Sequence, residues 1–265
     1  MPDSKKLVLI ASQRSGTHAF GSVLARNGYL NFDEVFHPND AIQEPQKSAQ
    51  FKTFLNSDGT KAIEMLYEPE TLTRRYFTHL DQFADGAPFY IDVKYNSLYY
   101  LNHVFYDGFS APRLIADFRA AGFSFIHVVR RNAFERHLSA VIASATKQWH
   151  FDANKIDKSD VKSVRLEIDP GQCVFAVRQH MAAVQRVEGW LSQVPAKTTV
   201  YYEDMFADDH LVQAVVRQLR STLGVTLEAT ETEYFKPDRS ISDVVTNYGA
   251  VRKAMADAGF AWMTP

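Results

Sequence analysis

The chain has 265 residues, 46% of them hydrophobic and 23% charged, with a formal net charge of -2. That is globular composition with length enough for a large core, and it lacks the basic excess of a general nucleic-acid binder, so any anion site must be local. Cys173 is the only cysteine, which excludes an intramolecular disulfide and a cysteine-based zinc cluster.

Apolar runs alternate with helical patterns along the chain. Lys6–Ser12 reads as a buried strand. It is too brief for the apolar core of a signal peptide, and no stretch approaches the roughly 18 apolar residues of a membrane span. A soluble cytoplasmic protein is expected. Gly16–Asn27 reads as a helix with Phe20, Val23 and Leu24 on one face and Gly28 as its stop. Asn39 to Gly86 is mixed and polar, and reads as helical insertions that shape a substrate cleft. Phe89–Val93 and Phe123–Val129 are further strands. The second leads into a helix with Phe134, Leu138, Val141, Ile142, Ala145 and Trp149 on one stripe. Gly171–Leu191 is a helix with Val174, Val177, Met181, Val184 and Leu191 inward. Thr198–Tyr202 is a strand, followed by a helix near Asp208 to Leu223. The turn "KPDRS" and a last helix close the chain. Near-continuous apolar strands separated by helices predict an α/β fold, a central parallel sheet with helices on both faces. With no linker, repeat or low-complexity tract, residues 1–265 form a single domain.

Two strand exits carry the chemistry. The first is "SQRSGTH", residues 12–18. Aligning Gly16 with the second glycine of a G-x-x-x-x-G-K-[ST] loop puts Ala11, Thr17 and His18 at the glycine, lysine and metal-binding hydroxyl positions. A Mg²⁺-dependent nucleotide loop is therefore disfavoured. An anion cradle remains: the open amides at a helix start, Gly16 for close approach, hydroxyls from Ser15 and Thr17, and the forked cation of Arg14. A capped strand–turn–helix with a surface arginine fits the same four residues. The second exit is "VVRRNAFERHLS", where Ser139 lies eight residues after Arg131. Consecutive arginines oppose the dipole at a helix N-terminus unless an anion joins them. In a parallel sheet both exits lie on one edge, which suits one ligand with phosphates at both ends.

These residues carry a family resemblance. "SQRSGT" resembles the 5′-phosphosulfate loop of sulfotransferases that use 3′-phosphoadenosine 5′-phosphosulfate (PAPS). "RNAFERHLS" resembles their 3′-phosphate motif, and "VYYEDM", residues 200–205, a later strand-to-helix segment. The nearest group is the bacterial carbohydrate type, which includes Nod-factor, lipopolysaccharide and trehalose sulfotransferases. The resemblance implies a P-loop NTPase-like sulfotransferase fold. It implies transfer of a sulfuryl group from PAPS to a carbohydrate or glycolipid hydroxyl, with release of PAP and no metal. Arg14, Ser15, Gly16, Thr17 and His18 would hold the 5′-phosphosulfate, and Arg131 and Ser139 the 3′-phosphate. Glu34 in "NFDEVFHP" matches the glutamate that follows the first helix in that group, so it is the first choice of base for the acceptor hydroxyl, with His37 second. There are departures: Arg14 and Ala133 stand where many relatives have Lys and Pro. The Gly-rich C-terminal 3′-phosphate segment is absent, leaving Lys236 and Arg239 of "KPDRSIS" as substitutes. Lys94, at the end of a strand, lines the same edge or is solvated, and Tyr99, Tyr100 and Trp149 are expected in the core. Two other readings fit: a P-loop-type nucleotide or sugar kinase, and a PAP- or nucleotide-binding protein without catalysis.

Overall fold

The computed structural model describes residues 5–37, 44, 46–59, 67–102, 110–149, 164–236 and 241–264. In chain order, β1 (Lys6–Ala11) leads into α1 (Thr17–Arg26) and the short β2 (Leu30–Asn31). Then come α2 (Gln46–Ala49), α3 (Phe51–Asp58), α4 (Pro69–Ala84), β3 (Phe89–Lys94) and α5 (Arg113–Ala120). β4 (Ser124–Val129), α6 (Ala133–Thr146), α7 (Pro170–Leu191) and β5 (Lys197–Tyr201) follow. A hairpin of β6 (Phe206–Ala207) and β7 (His210–Leu211), then α8 (Gln213–Leu223), α9 (Ile241–Val244) and α10 (Tyr248–Asp257), complete the chain.

β1 to β5 form one sheet in the order β2-β3-β1-β4-β5, with every pairing parallel. The connection from β1 runs to one side, towards β2, and that from β4 to the other, towards β5. The crevice beyond the ends of β1 and β4 is therefore where the connections diverge, the position at which open α/β sheets bind ligands. Register puts these ends level, because Ala11 pairs with Lys94 on one side and Val128 on the other.

Strand alternation divides the core. Val8, Ile10, Ile91, Val93 and Phe125 face one side, covered by buried residues of α3, α4, α5 and α7. Leu7, Leu9, Ala11, Ile126, Val128 and Val200 face the other, covered by α1 and α8. A third cluster joins α6, α7 and α10. Among the described residues no helix is long and apolar enough to cross a membrane.

Several sequence readings need correction. Phe51, Phe54, Leu72, Tyr76 and Leu80 of the 39–86 segment are core side chains, so α3 and α4 cover the sheet. The helix expected from Asp208 begins at Gln213, because Asp208 and Asp209 adopt left-handed φ of 48° and 61° and turn the β6–β7 hairpin. In α7 Val177 and Leu191 are buried as expected and Val174 and Met181 pack half-buried on the third cluster, while Cys173, His180 and Val187 complete the buried stripe. In α6 it is Ala133, Phe134, Leu138, Ala143 and Thr146, while Ala145 and Trp149 are exposed. Polar and small residues share both stripes, which apolar periodicity alone does not detect.

One core polar group predicts acid sensitivity. His127 on β4 is buried; its Nε2 lies 2.7 Å from Tyr95 Oη, and its Nδ1 has no hydrogen-bond partner among the described residues. Burial, then the charge of Lys197, pushes it down to about 3. The unfolded chain, at about 6.5, takes up its proton first as pH falls, so stability falls below that value. By pH 5 this one group is expected to cost about 2 kcal/mol. In urea unfolding at pH 7 and pH 5, His127→Gln should reduce the drop in stability by about that amount; an unchanged drop would refute the assignment.

Candidate functional site

The turn after β1 is built from two left-handed residues, Arg14 at φ 67° and Gly16 at φ 83°. Such a φ costs a non-glycine residue about 1–2 kcal/mol, so contacts must hold Arg14 there. Arg130 Nη1 donates to the Arg14 carbonyl at 3.3 Å, and Arg14 Nε donates to Ser139 Oγ at 3.1 Å. Arg14 Nη1 also donates to the Trp149 carbonyl. The two strand exits are thus joined directly. At Gly16 a Cβ would lie 2.6 Å from the Tyr202 ring, so the ring packs where only glycine fits. The Ser15 hydroxyl is buried and shares a hydrogen bond with Ser12 Oγ at 2.8 Å. It braces the turn from inside, and Ser15 does not line the adjoining cleft.

A cleft of about 1500 Å³ opens on this edge. Arg14, Gly16, Thr17, His18, Glu34, His37 and Ser139, all singled out in the sequence, line it. Arg239 falls outside the described residues. Lys236 lines the cleft, with Nζ 3.9 Å from Glu135 Oε2. Trp149 also lines it, whereas Tyr99 packs on Trp190 and Tyr100 on Phe36 and Phe51.

Arg131 is not among the cleft residues; Arg130 is. Arg131 Nη2 donates to Asp204 Oδ1 at 2.6 Å, its guanidinium lies over the Tyr201 ring, and its side chain is 46% exposed. Glu203 accepts the backbone N–H groups of Arg131 at 3.1 Å and Asn132 at 2.9 Å. The anion expected at the start of α6 is therefore the protein's own carboxylate. Arg130, only 6% exposed, continues the parity of Ile126 and Val128 towards the α1 face. It pairs with Glu135 at 2.9 Å and lies 4.5 Å over the Tyr202 ring, yet its Nε has no partner among the described residues. The spacing to Ser139 favours Arg131; strand alternation, also readable in the sequence, favours Arg130.

The cations crowd one another. Burial and then Arg130 lower the pKa of Arg14, and the same two causes lower that of Arg136, which donates to the Gln13 carbonyl at 3.2 Å. Guanidiniums stay charged in proteins, so both groups keep their charge against burial and against a neighbouring cation.

Glu34 owes its position to its neighbours. Phe32, Val35 and Phe36 are buried, Asp92 N–H donates to the Asp33 carbonyl, and Phe51 N–H to that of Val35. Glu34 Oε1 lies 3.4 Å from Lys94 Nζ. Lys94, for which the sequence left a place on this edge or in solvent, is 4% exposed because β3 alternation turns it under α1. Its ammonium reaches Asp92 Oδ2 at 2.6 Å and Thr17 Oγ1 at 2.8 Å. Burial opposes its charge, but Asp92 and Glu34 outweigh burial and raise its pKa. Burial raises Glu34 above the usual carboxylate range, against the pull of Lys94 and with help from Asp92 and Asp33. His18 is pushed down to about 4 by burial and then Lys94, so it is neutral at pH 7. The site thus joins a cationic edge, with Arg14 and Arg130, to a carboxylate held beside a buried lysine.

No protein-family model and no curated protein matches the chain.

Among the described residues no three His, Cys, Asp or Glu side chains are grouped to hold a metal ion.

Proposed function

We propose that this protein is a PAPS-dependent sulfotransferase with a P-loop NTPase-like sulfotransferase fold, acting on a hydroxyl of a carbohydrate or glycolipid. One observation carries the reading: a single cleft contains two hydrogen-bonded cationic strand exits and, beside them, the Glu34–Lys94 pair. The donor set suits a ligand with phosphates at two ends. Arg14 and the amides opening α1 serve the 5′ end. Arg130, with an unused buried Nε, and Ser139 serve the 3′-phosphate, a group that ATP lacks.

PAPS would supply the sulfuryl group: the acceptor oxygen bonds to sulfur as the bond from sulfur to the 5′-phosphate oxygen breaks, and PAP keeps the electron pair. Glu34 accepts the acceptor's proton. Its raised pKa strengthens it as a base while Lys94 keeps it oriented. Neutral His18 contributes hydrogen bonding without charge. Arg14 stabilises charge on the leaving oxygen, as positioning and electrostatics do in phosphoryl transfer.

Calorimetric titration of the metal-free protein with PAP tests the reading, with ATP, alone and with Mg²⁺, as control. PAP should bind at least about tenfold tighter than ATP, the worth of one charge-assisted contact. Absent PAP binding would overturn it and leave the β1 turn a structural one, and tighter binding of Mg-ATP would overturn it in favour of a kinase.

A further inference from the structure

Lys94 sits among three oxygens and favours two of them. Its Nζ donates to Asp92 Oδ2 at 2.6 Å and to Thr17 Oγ1 at 2.8 Å, and lies 3.4 Å from Glu34 Oε1. Charge-assisted bonds to a carboxylate run at about 2.7–2.9 Å. The ammonium is therefore bonded to Asp92 and only adjoins Glu34. Asp92 and Lys94 share the side-chain parity of Tyr90, which packs on the α1 side of the sheet. Both are 4% exposed. The Asp92 side chain meets Lys94 through Oδ2, while its Oδ1 has no hydrogen-bond partner among the described residues. Its charge thus acts on the lysine.

The division matters for Glu34. A lysine bonded fully to that carboxylate would favour its charged form and weaken it as a base. A lysine held on Asp92 still orients it, and the Asp92 charge itself opposes a charge on Glu34. We propose that Asp92 is a positioning residue: with Thr17 it holds the Lys94 ammonium at the foot of the β1 turn and short of Glu34, so that one lysine braces the anion turn while Glu34 stays basic enough to take a proton. That the proton comes from an acceptor hydroxyl rests on the sulfotransferase reading; the hold of Asp92 on Lys94 does not. The other charged or titratable groups acting on Glu34 are Asp33 and His37 of its own segment, and His18 of α1, neutral at pH 7, faces Lys94 and Asp92. All three stay the same in the variants that test the proposal.

The test is a ¹³C NMR titration of the Glu34 side-chain carboxyl, assigned by its absence in Glu34→Gln, with neither PAPS nor acceptor present. In Asp92→Asn the opposing charge is gone and Lys94 turns to Glu34, so the Glu34 midpoint should fall below that of wild type. Adding Lys94→Met to Asp92→Asn should bring the midpoint back up, because the freed lysine is what lowered it; exchange of a buried ion pair for uncharged residues is often tolerated. A fall caused by local loosening would not be reversed in this way. Thermal melts identify the folded variants. Should Asp92→Asn not fold, Thr17→Val decides: it frees Lys94 from its other oxygen and should also lower the midpoint, by less. A midpoint that stays or rises in Asp92→Asn, a fall that Lys94→Met does not reverse, or, where Thr17→Val decides, no fall in that variant would overturn the proposal. Absent PAP binding with these shifts intact would instead remove only the sulfotransferase reading.

Discussion

Arg130→Ala is expected to weaken PAP binding about 100-fold, the loss of about 3 kcal/mol of charge-assisted hydrogen bonding, while Arg131→Ala leaves it within about threefold. The contrast is the sharpest consequence of the cleft geometry. Arg130 is buried against Tyr202, bonds the Arg14 carbonyl and keeps one N–H unused. Arg131 spends its charge on Asp204 and Glu203, half-exposed on the outer side. Since Arg130 also braces the β1 turn, Arg130→Lys separates binding from folding: it keeps the charge and loses the planar fork. Near-normal thermal stability with PAP affinity reduced by about tenfold is the expected result for that variant. Titration calorimetry on the three variants checks the set. A large loss for Arg131→Ala with little for Arg130→Ala would return the phosphate to the arginine that the spacing to Ser139 selects.

Glu34→Gln should lower turnover by about 10²–10⁴-fold, the usual contribution of a general base, and leave PAP affinity close to wild type. The pH dependence supplies a second readout. Burial, assisted by Asp92 and Asp33, raises the carboxyl's pKa. A base works only when deprotonated, so kcat/KM should fall as pH drops through a value above the ordinary carboxylate range, and remain level above it. In Glu34→Gln that acidic limb should vanish along with most of the rate. Steady-state rates with a sulfated product as readout, measured across the acid range, decide the point. An acidic limb that persists in Glu34→Gln would move the base to His37, which also lines the cleft.

Much of the architecture was legible in the sequence because it rests on local regularities. Four apolar runs mark β1, β3, β4 and β5, and each lies within a residue or so of its predicted place. β2 was missed because it has only two residues, one of them exposed, and exists through its pairing with Phe89 and Tyr90. Helices were expected in residues 39–86, but the polar look of the segment concealed that α3 and α4 cover the sheet, since their buried rings, Phe51, Phe54 and Tyr76, are spread among charged and hydroxylic residues. Their coverage of the sheet depends on partners from α5 and β4 that are distant in the chain.

The sequence by itself put Arg14, Thr17, His18 and Ser139 at two strand exits on one edge, as strand–helix alternation in a parallel sheet requires, and all four line the cleft; Glu34, chosen through the family resemblance, lines it too, whereas Ser15 and Arg131 are not among its residues. Only the tertiary structure decided which way the side chains face. Tyr202 and the Arg14 carbonyl held Arg130 in the cleft, Glu203 supplied the carboxylate that meets the start of α6, and the pairing of Ala11 with Lys94 buried a lysine between the β1 turn and Glu34. Each of these outcomes joins residues dozens of positions apart, and is set by register and desolvation rather than by anything a local window contains.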